Sequence, residues 1–146
     1  MEKIRVKRLK ENAIMPTYGS AEAAGADLYA CLTEPMTIQP GESVFIPTGL
    51  AMELPVGFAG LIYARSGIAN KRGLAPSNKV GVVDSDYRGE IFFAMVNNDS
   101  VPKTVENGDR IGQLMIMPVI QPNYEVVDEL DETERGEGGF GSTGIK

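Results

Sequence analysis

The sequence predicts an all-β sandwich or barrel, and three observations carry that prediction. Glycine (17) and proline (9) recur at short intervals along the chain. Between them lie many short runs of β-type residues, each closed by turn residues. Helical periodicity is nearly absent. Many short strands at regular spacing belong to sandwiches and barrels rather than to α/β folds.

In order, Ile4–Leu9 alternates apolar and charged residues in period two, the signature of a half-buried strand. Asp27–Leu32, Thr37–Ile38, Ser43–Pro47, Leu50–Leu54 and Gly57–Tyr63 follow as strands. Turns at Pro40-Gly41 and Pro55-Val56-Gly57 separate some of these runs. One short helix is expected from Gly67 to Arg72, with Ser66 as N-cap and Gly73 as the terminating residue. Val80–Asp84, Glu90–Asn97, Lys103–Val105 and Arg110–Val119 complete the strands, bounded by Asn97-Asn98-Asp99 and Asn107-Gly108-Asp109. Val82-Val83 should be buried strand, and Ser85–Gly89 should reverse the chain into Glu90–Asn97 as a β-hairpin. Residues 1–127 then form a single β domain. Residues 128–146 change character: an acidic run, Asp128–Glu134, precedes a Gly-rich end that cannot bury enough apolar area to order itself. It reads as a flexible arm that orders on binding.

Totals narrow the chemistry. A chain of 146 residues is one domain's worth, with 42% hydrophobic and 23% charged residues. No apolar run approaches the roughly 20 residues that span a bilayer, so no membrane association is expected. The N-terminus lacks the apolar core of a signal peptide, which makes a cytoplasmic address the expectation. Cys31 is alone, so no intrachain disulfide is possible, and it reads as a small core hydrophobe. A net charge of −6 argues against nucleic acid as partner, because that binding neutralises phosphates with Lys and Arg. Histidine is absent. That excludes Ser-His-Asp and Cys-His catalysis, His-ligated zinc and zinc deaminase chemistry. A general base must come from Asp, Glu, Lys or Tyr.

Five segments can carry chemistry. In Gly81-Val82-Val83-Asp84-Ser85-Asp86-Tyr87-Arg88-Gly89, Asp84 stands where a buried strand meets a turn. Partial burial there would raise its pKa and make it a usable base. The alternative is that Asp84 and Asp86 hydrogen-bond the turn backbone. In Tyr63-Ala64-Arg65-Ser66-Gly67, a strand runs into a helix N-terminus, so free N–H groups, a hydroxyl and a guanidinium converge as an anion site. Plain N-capping by Ser66 is the competing reading. Gly108–Leu114 offers Arg110 and Gln113 to phosphate or to one another. In Ala24–Ala30, Asp27 enters an apolar strand, either as a buried partner for an arginine or as an acid near a metal. The tail run Gly139-Phe140-Gly141-Ser142-Thr143-Gly144 fits the dinucleotide pattern G-x-G-x-x-G, but no strand precedes it and the chain stops before a helix can follow. A lone aromatic among glycines could instead stack on a base, and the hydroxyls beside it suit phosphate oxygens.

These five segments, in this order, resemble the five motifs of the trimeric dUTP pyrophosphatases, from Ala24 to Gly144. The resemblance implies a jelly-roll-like β-barrel (the β-clip fold) assembled as a homotrimer with active sites shared among subunits. It implies hydrolysis of dUTP to dUMP and pyrophosphate by water attack on the α-phosphorus. That reaction limits uracil incorporation into DNA and supplies dUMP for dTMP synthesis. By resemblance, Asp84 is the carboxylate that deprotonates the water, and Tyr87 packs on the deoxyribose and leaves no room for a 2′-hydroxyl. Asn78, Gly81, Val83 and Phe92 resemble the uracil-reading edge. Arg65, Ser66, Gly67 and Gln113 resemble the phosphate binders. Arg135, Phe140, Gly141, Ser142 and Thr143 belong to an arm that covers uracil and meets the phosphates from a third subunit. Mg²⁺ is expected on the triphosphate and its waters, with no direct protein ligand and with Asp27 reaching it through water at most. Ala64 stands where many members have proline, and Ala26 and Gly112 are variable sites; none removes a group assigned chemistry. Two rival readings share the fold: a zinc-independent dCTP deaminase, with or without pyrophosphatase activity, and a regulatory β-barrel module that has lost catalysis.

Overall fold

The structure, a computed structural model, describes residues 3–140. Among the described residues there are eleven strands and one helix: β1 (Arg5–Arg8), β2 (Thr17–Tyr18), β3 (Ala26–Tyr29), β4 (Met36–Ile38), β5 (Ser43–Glu53), β6 (Phe58–Tyr63), α1 (Ser66–Arg72), β7 (Leu74–Pro76), β8 (Gly81–Val83), β9 (Glu90–Asn97), β10 (Lys103–Val105) and β11 (Arg110–Pro118). The all-β expectation holds. The strands form a four-stranded sheet in the order β1-β5-β9-β7, a five-stranded sheet β2-β3-β11-β6-β8 and a two-stranded β10-β4 ribbon. Every pairing is antiparallel. The sheets keep free edges, so the jelly-roll-like body is not a closed barrel.

The core lies between the sheets. Leu28, Ile38, Ile46, Leu50, Leu74, Phe93, Met95, Val105 and Ile111 are fully buried. Each contributes about 1.5–3 kcal/mol through apolar surface removed from water. In β9 the alternation Ile91, Phe93, Met95 faces inward, as the period of a strand dictates. Cys31 is buried, as expected of a small core residue.

Several local expectations need correction. Ser43–Pro47 and Leu50–Leu54 are one strand, β5, with an irregularity between Pro47 and Ala51 where it pairs with β9. Gly49, with φ of 69°, absorbs that irregularity. β2 and β7, of two and three residues, were not expected from the sequence. Pro76 is tolerated in β7 because that strand is a sheet edge. Ser66 is not the N-cap: Arg65 occupies that position in an extended conformation, and no side chain caps the helix. Gly73 does end the helix, with φ of 67°.

The largest correction concerns the expected hairpin. β8 pairs with β6, whereas β9 pairs with β5 and β7. The turn after Val83 therefore carries the chain from one sheet to the other. Val83 is buried, but Val82 is 64% exposed, because β8 is an edge strand with one face open.

After β11 the chain leaves the sheets. Residues 119–140 form no strand, and Ile120, Tyr124, Val126 and Leu130 are almost fully exposed. No helix among the described residues is long and apolar enough to cross a membrane.

Candidate functional site

The residues singled out between Asp27 and Gln113 gather at two places. The first depends on the position of β11 between β3 and β6. Gln113 of β11 lies opposite Asp27 on one side and Tyr63 on the other. Three distant segments thus share one row across the sheet, and the chain leaving Tyr63 delivers Arg65 beside them. The Arg65 Nε donates to Asp27 Oδ1 at 2.6 Å, and Arg110 Nη1 donates to Asp27 Oδ2 at 3.4 Å. Asp27 is therefore the buried partner of an arginine, in fact of two; its side chain is only 10% exposed.

Gln113 Nε2 donates to the Ala64 carbonyl at 2.8 Å, which fixes the amide against the Arg65 segment. Gly25 makes room for it: a β-carbon there would sit 2.6 Å from Gln113 Oε1. Gly19, Ala23, Gly25, Asp27, Arg65, Ser66 and Gln113 line a cavity of about 180 Å³. Arg65 also walls a second hollow of about 190 Å³, shared with Gly67, Ile68, Arg72, Asp109 and Arg110. With no side-chain cap on α1, its first-turn N–H groups remain free beside these guanidiniums. Such a set suits an anion, since charged and backbone donors converge there.

The second place is a groove of about 290 Å³ lined by Phe45, Ile62, Asn78, Gly81, Val82, Val83, Asp84, Tyr87, Glu90, Ile91 and Phe92. It brings together all six residues singled out in sequence between Asn78 and Phe92: Asn78, Gly81, Val83, Asp84, Tyr87 and Phe92. The sheet-to-sheet crossing explains the concavity, since β8 supplies one wall and β9 the other. Phe45 was not anticipated. Its ring meets Phe92 edge-on, with centroids 6.4 Å apart and planes at 77°. In sequence it could not be told from its core neighbour Ile46. Their opposite faces become evident only from the register of β5.

Asp84 does not have the burial expected of it, for its side chain is exposed in the single chain. Its backbone carbonyl closes the turn by accepting from Tyr87 N–H at 3.2 Å. Among the described residues no hydrogen bond engages the Asp84 carboxylate, so turn-capping is not its occupation. A larger hollow of about 620 Å³, lined among others by Val56, Phe58, Val82, Asp84, Asp86 and Val119, opens on the other side of Asp84.

Within one chain the anion cavity and the aromatic groove are separate. The described part of the tail, up to Phe140, lines neither. Arg135 Nε donates to the nearby Gly138 carbonyl at 2.6 Å, and Phe140 is fully exposed with φ of 49°. Gly141, Ser142 and Thr143 lie outside the described residues. Among the described residues, no three His, Cys, Asp or Glu side chains are grouped to hold a metal ion.

Comparison with known proteins matches this arrangement to a family. A family model described as dUTPase matches residues 11–144. A deoxyuridine 5′-triphosphate nucleotidohydrolase of Desulfitobacterium hafniense is 51% identical over 150 residues, covering 99% of each chain. One from Hahella chejuensis is 46% identical, over 99% of this chain and 95% of its own. Among solved structures, a dUTPase of Staphylococcus bacteriophage 80alpha with dUpNHpp superposes with a TM-score of 0.91 at 28% identity, over 99% of this chain and 100% of that one. The dUTPase from phage phi11 of S. aureus, described with a structural Mg(II) ion, gives 0.81 at 25% identity, over 90% and 100%. The chain belongs to the dUTPase family.

Proposed function

We propose that this chain hydrolyses dUTP to dUMP and pyrophosphate by in-line attack of water on the α-phosphorus. The observation that carries the reading is the sorting of the motif residues into two complementary sites. One is an aromatic, hydrogen-bonding groove with a free carboxylate at its edge. The other is a cavity lined by Arg65 and a fixed glutamine, with Arg110 bonded to the same Asp27. A nucleotide needs both.

In this reading Asp84 orients the water and takes its proton, a role open to an unengaged carboxylate. Asn78 and the backbone at Gly81 and Val83 read the uracil edge, and Phe92 packs beside it. A buried donor or acceptor left unpaired by cytosine rejects that base. Tyr87 walls the deoxyribose. Arg65, Ser66, Gly67 and Gln113 hold phosphate oxygens, and Arg110 joins them from its place on Asp27. Positioning and charge neutralisation supply most of the barrier lowering.

Mg²⁺ would bind the triphosphate and its waters and would supply neutralisation of phosphate charge. The structure fits an indirect protein contact: both Asp27 oxygens already accept from arginines. A cation that sheds water reluctantly would meet Asp27 through that water.

The assembly we infer is a homotrimer with shared sites. Two features support it. The groove and the anion cavity are separate within one chain, so a nucleotide bridging them would bridge subunits. Ile120, Tyr124, Val126 and Leu130 are apolar and left uncovered by the described residues of their own chain. The arm bearing Arg135, Phe140, Gly141, Ser142 and Thr143 then closes a site on neighbouring subunits, with Phe140 over the base.

Pyrophosphate release measured in parallel on dUTP, UTP, dCTP and dTTP tests the proposal. Turnover confined to dUTP is expected. Ammonia release from dCTP would assign the chain to the deaminases instead, and no turnover of any substrate would favour the regulatory module.

A further inference from the structure

Tyr87 is 44% exposed and stands on a turn, a poor station from which to enforce a steric rule unless something holds the ring. The structure contains such a hold. The Tyr87 hydroxyl donates to the Glu90 carbonyl at 2.9 Å. The Glu90 carboxylate accepts from the Gly49 N–H at 2.8 Å. Gly49 is itself wedged into the core: a β-carbon there would lie 2.7 Å from Cys31 Sγ and 2.8 Å from the Ala13 β-carbon. Between Tyr87 and Glu90 stands Gly89. A β-carbon on it would lie 2.3 Å from the Tyr87 hydroxyl oxygen and 2.6 Å from Cζ. The outer end of the ring therefore occupies the place of a side chain at position 89.

We propose that Gly89, with Glu90 and Gly49 behind it, is a positioning element that fixes the Tyr87 ring and thereby sets discrimination between deoxyribo- and ribonucleotides. The inference rests on the reading of Tyr87 as the wall against the sugar. The clash at Gly89 is with the far end of a side chain that can rotate, not with backbone. Gly89→Ala therefore swings the ring outward and leaves the fold intact. The hydroxyl loses its seat on Glu90, the wall retreats, and a 2′-hydroxyl gains room. The opposite end of the brace acts the same way: without the Glu90 carboxylate the Gly49 N–H loses its partner, and only the Ala51 pairing and the Thr48 hydroxyl on the Ile91 carbonyl still hold this strand end to the β5 irregularity.

The test compares kcat/KM for dUTP and UTP in the intact protein and in variants. Gly89→Ala and Tyr87→Ala should each raise the UTP-to-dUTP ratio by about tenfold or more, the scale of a steric contact in a pocket. The double variant should match Tyr87→Ala within about twofold, because residues acting through one contact are not additive. Glu90→Ala should raise the ratio, and Glu90→Gln, which keeps an acceptor for Gly49 N–H, should restore it. If Gly89→Ala slows both substrates in proportion, or its effect multiplies that of Tyr87→Ala, the brace is refuted while the sugar wall stands. A Tyr87→Ala variant that still rejects UTP removes the wall itself, and the brace falls with it. Glu90→Gln behaving like Glu90→Ala would overturn the link to Gly49.

Discussion

Removing the Asp27 carboxylate should damage stability and substrate binding together. Asp27 is 7% exposed and accepts from Arg65 at 2.6 Å and from Arg110 at 3.4 Å. The first contact is short and shielded, and a charge-assisted bond of that kind contributes about 1.5–3 kcal/mol. The second is long, and the Arg110 side chain is 53% exposed, so solvent screening leaves it below about 0.5 kcal/mol. Arg65 is 27% exposed and can turn to water once its partner is gone, which limits the penalty of an unpaired charge. Asp27→Ala should then cost about 2–3 kcal/mol. For a chain of this size that is a fall of about 4–12 °C in Tm. Thermal unfolding should be compared at one fixed protein concentration, since an oligomer's Tm depends on it. Asp27→Asn keeps an acceptor for Arg65 without the charge and should lose about half as much, given that charged acceptors bind roughly twice as strongly as neutral ones. In steady-state assays both variants should raise KM for dUTP more than they lower kcat, because two phosphate-facing guanidiniums lose their aim. An unchanged Tm, or a lower KM in Asp27→Ala, would refute this reasoning and would mean that Asp27 competes with phosphate for the arginines.

Four other outcomes follow from the same geometry. Asp84→Asn should lower dUTP turnover by about 10²–10⁴-fold, the usual worth of a general base, while calorimetric titration shows dUTP binding retained; near-normal turnover would remove Asp84 as the base. Deleting the chain after Glu134 should leave oligomer mass and Tm unchanged, because among the described residues Arg135 and Gly136 bond only within 133–138, yet it should abolish efficient hydrolysis. Gly112→Ala should destabilise by about 1–3 kcal/mol through overpacking, since the new β-carbon would lie 2.1 Å from Phe93 Cε2. Phe93→Leu in the same chain should recover part of the loss in Tm. The Lys103 ammonium and the Ser100 N–H hold the Asp99 carboxyl below its ordinary 3.8. Stability from this pair is present above that value and is lost as pH falls through the lowered one; Asp99→Asn should flatten that part of an acid unfolding curve.

Most of the fold was legible because most strands announce themselves locally. Alternation in Glu90–Asn97 and the turn at Asn107-Gly108-Asp109 need no tertiary information. What could not be read was partner choice. Val82-Val83 followed by a tight turn and a second strand reads as a hairpin, since adjacent strands usually pair. Here β8 goes to β6 and β9 to β5. That one decision makes the aromatic groove, because a hairpin would have laid the two strands in one sheet. Phe45 was lost for the same reason: its place opposite Ala94, beside Phe92, is set by a register between distant segments.

Asp84 shows where single-chain reasoning stops. The expectation of partial burial was drawn from its neighbour Val83, and Val83 is indeed buried. One residue later the chain has left the strand, and the carboxylate points to solvent. The hollows on either side of Asp84 are rimmed by apolar residues that the described residues leave uncovered: Phe45 at 72% exposure, Val82 at 64% and Val56 at 92%. Apolar rims around an unengaged acid are costly in water unless a ligand or another surface dries them. Under the proposed function both arrive together, since the nucleotide fills the groove and neighbouring subunits cover the rest. The environment that a base requires is then a property of the loaded assembly. Under that reading, a sequence taken one chain at a time looks for the acid's surroundings in the wrong molecule.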